Sequence, residues 1–115
     1  MYVASMVDIG SFLALDLRVG RIVDVEDHPG ARKPMYKLVI DLGPEIGRRQ
    51  IVAGIKGSYS REDLLGKSVV CIANLDPKII AGIESQGMLL AAGESDTGIS
   101  MLVPDKEVPA GSRVH

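Results

Sequence analysis

Hydrophobic and polar residues alternate with a period of two over several stretches of the chain, a pattern that is typical of half-buried β-strands. In the first stretch, LDLRVGRIVDVED, Gly20 indicates a bend or bulge. The alternation there places four apolar residues on one side: Leu17, Val19, Val23 and Val25. Similar alternation follows in MYKLVIDLG and RRQIVAGI, and the nearly continuous apolar run KSVVCIANL indicates a strand covered on both sides.

Two short segments predict helices. The segment from Asp8 to Leu15 begins with an acidic residue and contains enough apolar side chains for a helix of about two turns. SREDLLG predicts a single turn, with Ser60 as its N-cap and Gly66 as its end. A short helix between the third and fourth of about five strands indicates an all-β OB-fold, a five-stranded Greek-key barrel. The periodicity is equally consistent with an SH3-like barrel or a sandwich.

Length and composition indicate one globular domain. The chain has 115 residues, of which 46% are apolar and 24% charged. No apolar run approaches the roughly 18 to 20 residues of a membrane span, and the N-terminus does not resemble a signal peptide. We therefore expect a cytoplasmic protein without membrane insertion. The single Cys71 cannot form an intrachain disulfide and is expected to be a small buried residue.

The charge is unevenly distributed, although the net charge is only −2. Between His28 and Arg61 there are seven basic residues and two acidic ones. Such an excess predicts a face that attracts a polyanion, whereas ordinary solvated loops and strand edges would give the same count.

Residues suited to catalysis are scarce. The two histidines, His28 and His115, lie at no metal-ligand spacing with each other or with Cys71. No nucleophile elbow or complete phosphate-binding loop occurs. The sequence therefore predicts a protein that is not an enzyme and has no metal site, catalytic residue or cofactor.

Basic side chains near the second and third strands favour a binding function instead. An OB barrel commonly binds its ligand on a sheet face and the bordering loops. The predicted phosphate contacts are Lys33, Lys37, Arg48, Arg49 and Lys56. With no Trp, one Phe and three Tyr, the chain has few residues for base stacking. Recognition of a folded RNA by its shape and phosphates is therefore favoured over threading of a bare strand.

Four segments in order, LDLRVGRIVDVEDHPGA, RQIVAGI, LLGKSVVCIANLDPKIIAGIESQGMLLAA and LVPDKEVPAGSRV, resemble the tRNA-binding-domain family. This family includes free-standing tRNA-binding proteins, the C-terminal domain or β-subunit of methionyl-tRNA synthetase, and the secretion chaperone CsaA. The resemblance implies an OB barrel over residues 16–92. It further implies a homodimer built by the helix at 8–15 and a C-terminal extension at 93–115.

The third of these segments contains the family's binding motif. The matching positions are Asn74, Pro77, Lys78, Gly82, Ser85, Gly87 and Met88. The resemblance implies that Asn74 and Ser85 donate or accept hydrogen bonds to tRNA and that Lys78 contacts a phosphate. Gln86 and Met88 would contribute adjacent polar and apolar surface. Alternatively, Asn74 satisfies backbone groups of the barrel and Met88 belongs to the core.

Other positions resemble the chaperone branch. The loop HPGARKPMYKL is similar to that of CsaA, while Gln86 to Met88 follows the tRNA-binding branch. The sequence therefore favours a tRNA-binding protein that acts with methionyl-tRNA synthetase. The alternative is an export chaperone that binds unfolded peptides. A third interpretation is an interaction subunit whose partner is a protein.

Overall fold

The computed structural model describes residues 1–94 and 96–115, in which strands predominate and the helices are short. The elements run in the order α1 (Ile9–Leu13), β1 (Leu17–Asp27), β2 (Tyr36–Asp41), α2 (Gly43–Ile46), β3 (Arg48–Ala53), α3 (Arg61–Leu64), β4 (Ser68–Ile72), β5 (Lys78–Ile80), β6 (Ile83–Ser85), β7 (Met88–Leu89), β8 (Ala91–Glu94) and β9 (Gly98–Met101).

Five antiparallel strands in the order β3-β2-β1-β4-β7 form a nearly closed barrel. Two hairpins, β5-β6 and β8-β9, extend from it. The predicted all-β, five-stranded OB barrel is thereby confirmed. None of the helices within residues 1–94 and 96–115 has the length and apolarity to cross a membrane.

A β-bulge changes the inward face of β1 midway along the strand. The β1-β2 register shifts between Ile22 and Asp24, so that Ile22 and Val25 both face the core. Val23 is only partly buried, and its predicted alignment with Val25 is wrong because the alternation does not continue through the bulge.

Gly20 serves a packing role instead of marking the bulge. A Cβ atom at this position would lie 2.5 Å from Cγ2 of Ile40 and 2.7 Å from Cδ2 of Leu42. Both of these side chains are fully buried. The absence of a side chain at Gly20 therefore allows β1 to pack closely against the end of β2.

The core fills the barrel with aliphatic side chains from every long strand. Its fully buried members are Ile22, Val25, Leu38, Ile40, Leu42, Ile51, Leu64, Val69 and Cys71. Each large aliphatic side chain among them stabilises the fold by roughly 1.5–3 kcal/mol relative to exposure. Tyr36 and Met101 complete the cluster near one end.

Helix α3 forms where the sequence predicts a single helical turn. Ser60 and Asp63 form a reciprocal capping box in which the Ser60 hydroxyl accepts from the Asp63 amide. Leu64 is fully buried in the core, and Gly66 follows with a φ of +82°. The helix is further attached by Arg61, whose Nε donates to the carbonyl oxygen of Val25 over 3.0 Å.

The C-terminal residues lie against the first half of β1. Val19 exchanges backbone hydrogen bonds with Gly111 and Ser112, and Val114 donates to the carbonyl oxygen of Leu17. These bonds satisfy the β1 edge before β2 begins to pair with it at Arg21. The segment is thus part of the folded domain.

Helix α1 is shorter than predicted and lies outside the core. It spans five residues instead of about two turns, and none of its residues is buried. Ile9 and Leu13 are 67% and 58% exposed. So short a helix is not stable alone. Its exposed apolar side chains are available for contact with another surface.

Candidate functional site

The segment that carries the predicted binding motif completes the outer edge of β3. Ser85 Oγ accepts a hydrogen bond of 3.0 Å from the backbone amide of Val52. The Gln86 backbone amide donates to the carbonyl oxygen of Gln50 over 2.7 Å, while its side-chain Oε1 accepts from the Gln50 amide over 3.0 Å. Side chains thus take the place of a regular strand ladder.

Ser85 and Gln86 are therefore occupied within the protein. Ser85 is only 4% exposed, and its hydroxyl also donates to the carbonyl oxygen of Gly87. Gln86 Nε2 donates to the Glu84 carboxylate over 3.2 Å. Gly87 has a φ of +136°, and a Cβ there would lie 2.7 Å from the Ile72 carbonyl oxygen. The spacing of the motif residues matches the positions at which they bond to the edge of β3. The sequence alone did not reveal this role.

The tip of the β5-β6 hairpin is fixed to the loop that follows β1. Ala81 and Gly82 form the tip with φ values of +48° and +87°, as in a type I′ turn. His28 is 5% exposed, and its Nε2 lies 2.9 Å from the carbonyl oxygen of Ile80. Since a carbonyl can only accept, Nε2 carries the proton. Two segments far apart in sequence thus form one surface.

Asn74 connects the N-terminal segment to the barrel. Its Oδ1 accepts from the backbone amide of Asp16 over 2.7 Å, and its Nδ2 donates to the carbonyl oxygen of Ala14 over 2.8 Å. Both polar atoms of the Asn74 side chain thus bond to backbone groups, and its contact with tRNA stays a prediction. Its side chain holds the end of α1 next to the loop after β4.

A groove of about 640 Å³ lies between the β5-β6 hairpin and the barrel. Its walls are mainly aliphatic, and its lining includes Val52, Ile55, Leu75, Asp76, Lys78, Ile80, Met88, Leu89 and Ile99. Met88 is 51% exposed, so it belongs to this surface and not to the core. Smaller hollows beside the groove are lined by Lys33 and Met35. The surface can hold a ligand with an apolar part.

The predicted basic residues fall into two groups. Lys37 and Lys56 form ion pairs with Glu26 and Asp27 at 2.8 and 2.9 Å. Lys56 also lies over the Tyr36 ring. Such exposed pairs contribute little stability, but they reduce the positive charge available to a ligand.

The second group is more accessible. Within residues 1–94 and 96–115, Lys33, Arg48 and Lys78 are exposed and take part in no ion pair. Arg49 is partly buried and donates to the carbonyl oxygen of Ala73 over 3.3 Å. Arg32, which is not among the predicted phosphate contacts, is exposed next to Lys33, and both line a smaller hollow beside the groove. Lys78 thus lines the groove itself, whereas Arg32 and Lys33 line the smaller hollows beside it.

Ionisable groups away from the groove have structural roles. Hydrogen bonding to Arg18 lowers the pKa of the Asp16 carboxyl, and that pair stabilises the start of β1. Burial raises the pKa of the Cys71 thiol to about 12, so it stays protonated at neutral pH. Among the residues that the structure describes, no group of His, Cys, Asp and Glu could hold a metal ion.

Comparison with known sequences identifies related domains. A family model described as "Putative tRNA binding domain" matches residues 17–113. The methionine–tRNA ligase of Thermococcus onnurineus is 57% identical over 104 residues, which are 90% of this chain and 14% of that enzyme. The methionine–tRNA ligase of Methanococcus maripaludis is 50% identical over 110 residues, or 96% and 16% of the two chains. The chain thus spans a small part of these relatives.

Solved structures of proteins shorter than these ligases have the same fold. The chaperone CsaA of Bacillus anthracis superimposes with a TM-score of 0.89 and 35% identity, covering 96% of this chain and all of the other. The MetRS related protein of Pyrococcus horikoshii gives a TM-score of 0.86 and 34% identity, covering 97% of this chain and all of the other. The similarity therefore extends beyond the barrel to nearly the whole chain.

Proposed function

Because the chain belongs to the tRNA-binding-domain family, we propose that it is a non-catalytic tRNA-binding protein that acts with a methionyl-tRNA synthetase in the cytoplasm, as an accessory domain or β-subunit. The observation that carries this proposal is the groove between the β5-β6 hairpin and the barrel, which Lys78 lines, together with the adjacent hollow that Lys33 lines. Its apolar walls and unpaired cations suit a ligand that combines bases with phosphates.

The predicted RNA-binding residues have different roles. Lys33, Arg48 and Lys78 contact phosphates directly, and Met88 offers an adaptable apolar surface to a base or sugar. Arg49 makes a weaker contact, because its guanidinium also donates to a backbone carbonyl.

The paired and hydrogen-bonded residues act differently. Lys37 and Lys56 contribute through the local field, since each would have to leave its carboxylate partner to bind a phosphate. Asn74, Ser85 and Gln86 are positioning residues that hold the motif against β3 and the N-terminal segment.

We further propose that the protein forms a homodimer whose interface includes helix α1 and residues 93–115. The support is the apolar surface left exposed on these segments. Phe12 and Leu13 are 38% and 58% exposed, and Leu102 and Val103 are 41% and 51% exposed. Neighbouring apolar side chains exposed to this degree are typical of protein interfaces. Two copies would present two grooves to one folded RNA.

The test is equilibrium binding of bulk tRNA from low to moderate salt, with an unstructured RNA of equal length in parallel. We expect a preference for tRNA and an affinity that falls steeply with salt, since neutralised phosphates release counterions. Lys78→Ala should reduce the slope of log affinity against log salt by about one. Lys67→Ala, which removes a charge beside a different hollow, should not change it. Binding that is independent of salt would contradict the proposal.

A second candidate function is peptide binding of the export-chaperone kind. It is favoured by the aliphatic groove and by the close structural similarity to CsaA. An apolar peptide bound by hydrophobic contact should retain its affinity at high salt. Competition between such a peptide and tRNA therefore separates the two candidates. Displacement of tRNA by the peptide at equal concentration would favour the chaperone.

A further inference from the structure

The groove contains an acidic side chain where a simple phosphate-binding surface would have none. Asp76 lines the groove two residues before Lys78 and is exposed. Within residues 1–94 and 96–115, its carboxylate takes part in no ion pair and no side-chain hydrogen bond. The neighbouring Asn74, in contrast, uses its side chain to hold the backbone. Asp76 is therefore available to a ligand.

A carboxylate at this position repels a polyanion unless the ligand supplies hydrogen-bond donors to it. An ionised carboxylate has two acceptor oxygens and no donor. Among the four bases, only guanine presents two adjacent donors, its N1–H and N2 amino group, on the Watson–Crick edge. Adenine and cytosine place an unprotonated ring nitrogen beside their amino group, and uracil places carbonyl oxygens on both sides of its N–H. The carboxylate therefore selects guanine.

We propose that the groove binds one unstacked guanine base of the RNA, with Asp76 accepting hydrogen bonds from the base edge. The proposal rests on the proposed tRNA-binding function. Leu75 and Met88, which are 36% and 51% exposed, line the groove and would contact the faces of the base. Lys78 lines it as well and would bind a phosphate next to the extruded nucleotide. The volume of about 640 Å³ is typical of sites for ligands of this size.

The hydrogen bonding at the β3 edge of the groove disfavours an extended peptide there. A peptide that adds a strand needs unpaired backbone groups along a sheet edge. At the β3 edge, the Gln50 amide and carbonyl and the Val52 amide are already bonded to Gln86 and Ser85. A base needs no such edge, because it is held by contact with its faces and by its own polar edge. Asp76 can accept hydrogen bonds from the base, and the positive charge of Lys78 complements the phosphate of the same nucleotide.

The test observes the Met88 methyl group by NMR while GMP, AMP, CMP and UMP are added separately at millimolar concentration. The signal is assigned with the variant Met88→Leu. GMP should shift it with an affinity on the order of tenfold higher than that of the other nucleotides, as expected for a bidentate contact. Asp76→Asn should remove this preference, whereas Asp105→Asn, an exposed carboxylate outside the groove lining, should retain it.

Other results would overturn the inference. Equal shifts with all four nucleotides, no shift with any, or a guanine preference that survives in Asp76→Asn would each do so. An apolar peptide that shifts Met88 when no nucleotide does would assign the groove to peptides instead. The salt dependence of tRNA binding by the unmodified protein reports separately on the proposed function. Salt-sensitive tRNA binding without guanine preference would leave that function intact and reject only the guanine site.

Discussion

The imidazole Nε2 of His28 lies 2.9 Å from the carbonyl oxygen of Ile80, and this hydrogen bond joins the loop after β1 to the β5-β6 hairpin. In the sequence these two segments lie far apart and resemble different branches of the family. In the structure this hydrogen bond holds them next to each other. The position of Lys78 relative to Lys33 therefore depends on His28, a buried residue that is not itself among the predicted phosphate-binding residues.

Replacing His28 with alanine should loosen the hairpin, because the Ile80 carbonyl loses its buried donor. We expect a loss of about 1–3 kcal/mol in the free energy of unfolding, measured by urea denaturation. Amide hydrogen exchange should increase in residues 78–85 more than in β2. His28→Gln, whose amide can still donate, should recover part of the loss. Equal amide exchange rates in both variants and the original protein would show that the His28–Ile80 hydrogen bond does not fix the hairpin.

Ser85→Ala should destabilise the fold even though the residue belongs to the predicted binding motif. The Val52 amide would be left without its acceptor at a site where Ser85 is 4% exposed. The expected cost is about 1–3 kcal/mol in chemical denaturation. Ser100→Ala, at an exposed position of β9, serves as the control and should change stability by less than about 0.5 kcal/mol. A direct RNA contact would instead lower tRNA affinity with stability unchanged.

Gly20→Ala should destabilise the barrel by overpacking. The added methyl would lie 2.5 and 2.7 Å from buried carbons of Ile40 and Leu42. Inserting a methyl group into a well-packed core typically costs about 1–3 kcal/mol, which thermal and urea unfolding would detect. Gly57→Ala is the matched control, since apart from its chain neighbours no atom of the described residues lies within 4 Å of its added Cβ. Equal stability of the two variants would contradict the close packing of β1 on β2.

Stability should decrease in acid partly through Asp16. Its pKa is lowered in the folded protein, chiefly by its hydrogen bond with Arg18. The carboxylate therefore contributes stability above its unfolded pKa of about 3.9, and this contribution is lost as the pH falls through the lower folded value. Asp16→Asn should be less stable at neutral pH and should lose less stability between about pH 5 and pH 2. Urea unfolding at several pH values measures both effects, and parallel pH curves for the two proteins would exclude this role.

Local sequence determined the elements whose side chains interact with near neighbours or face one core. The alternation of β2 placed Tyr36, Leu38 and Ile40 on the buried face, as the structure confirms. Ser60 and Gly66 lie at the two ends of α3 and act as its N-cap and its C-terminal stop. The sequence could predict this because a helix cap involves atoms only a few residues apart. The four segments in order likewise sufficed to identify the family, which the family model over residues 17–113 confirms.

Tertiary structure decided how those motif residues are used. Ser85 and Asn74 bond to Val52 and Asp16, more than thirty residues away, and sequence spacing alone cannot distinguish such bonds from contacts with a ligand. The same holds for the carboxylate partners that occupy Lys37 and Lys56, and for the bulge that reverses the pattern of β1. Local preferences act over a few residues, whereas the closure of a barrel sets which distant polar groups meet. That closure placed Asp76 and Lys78 in the lining of one groove and Lys33 in an adjacent hollow.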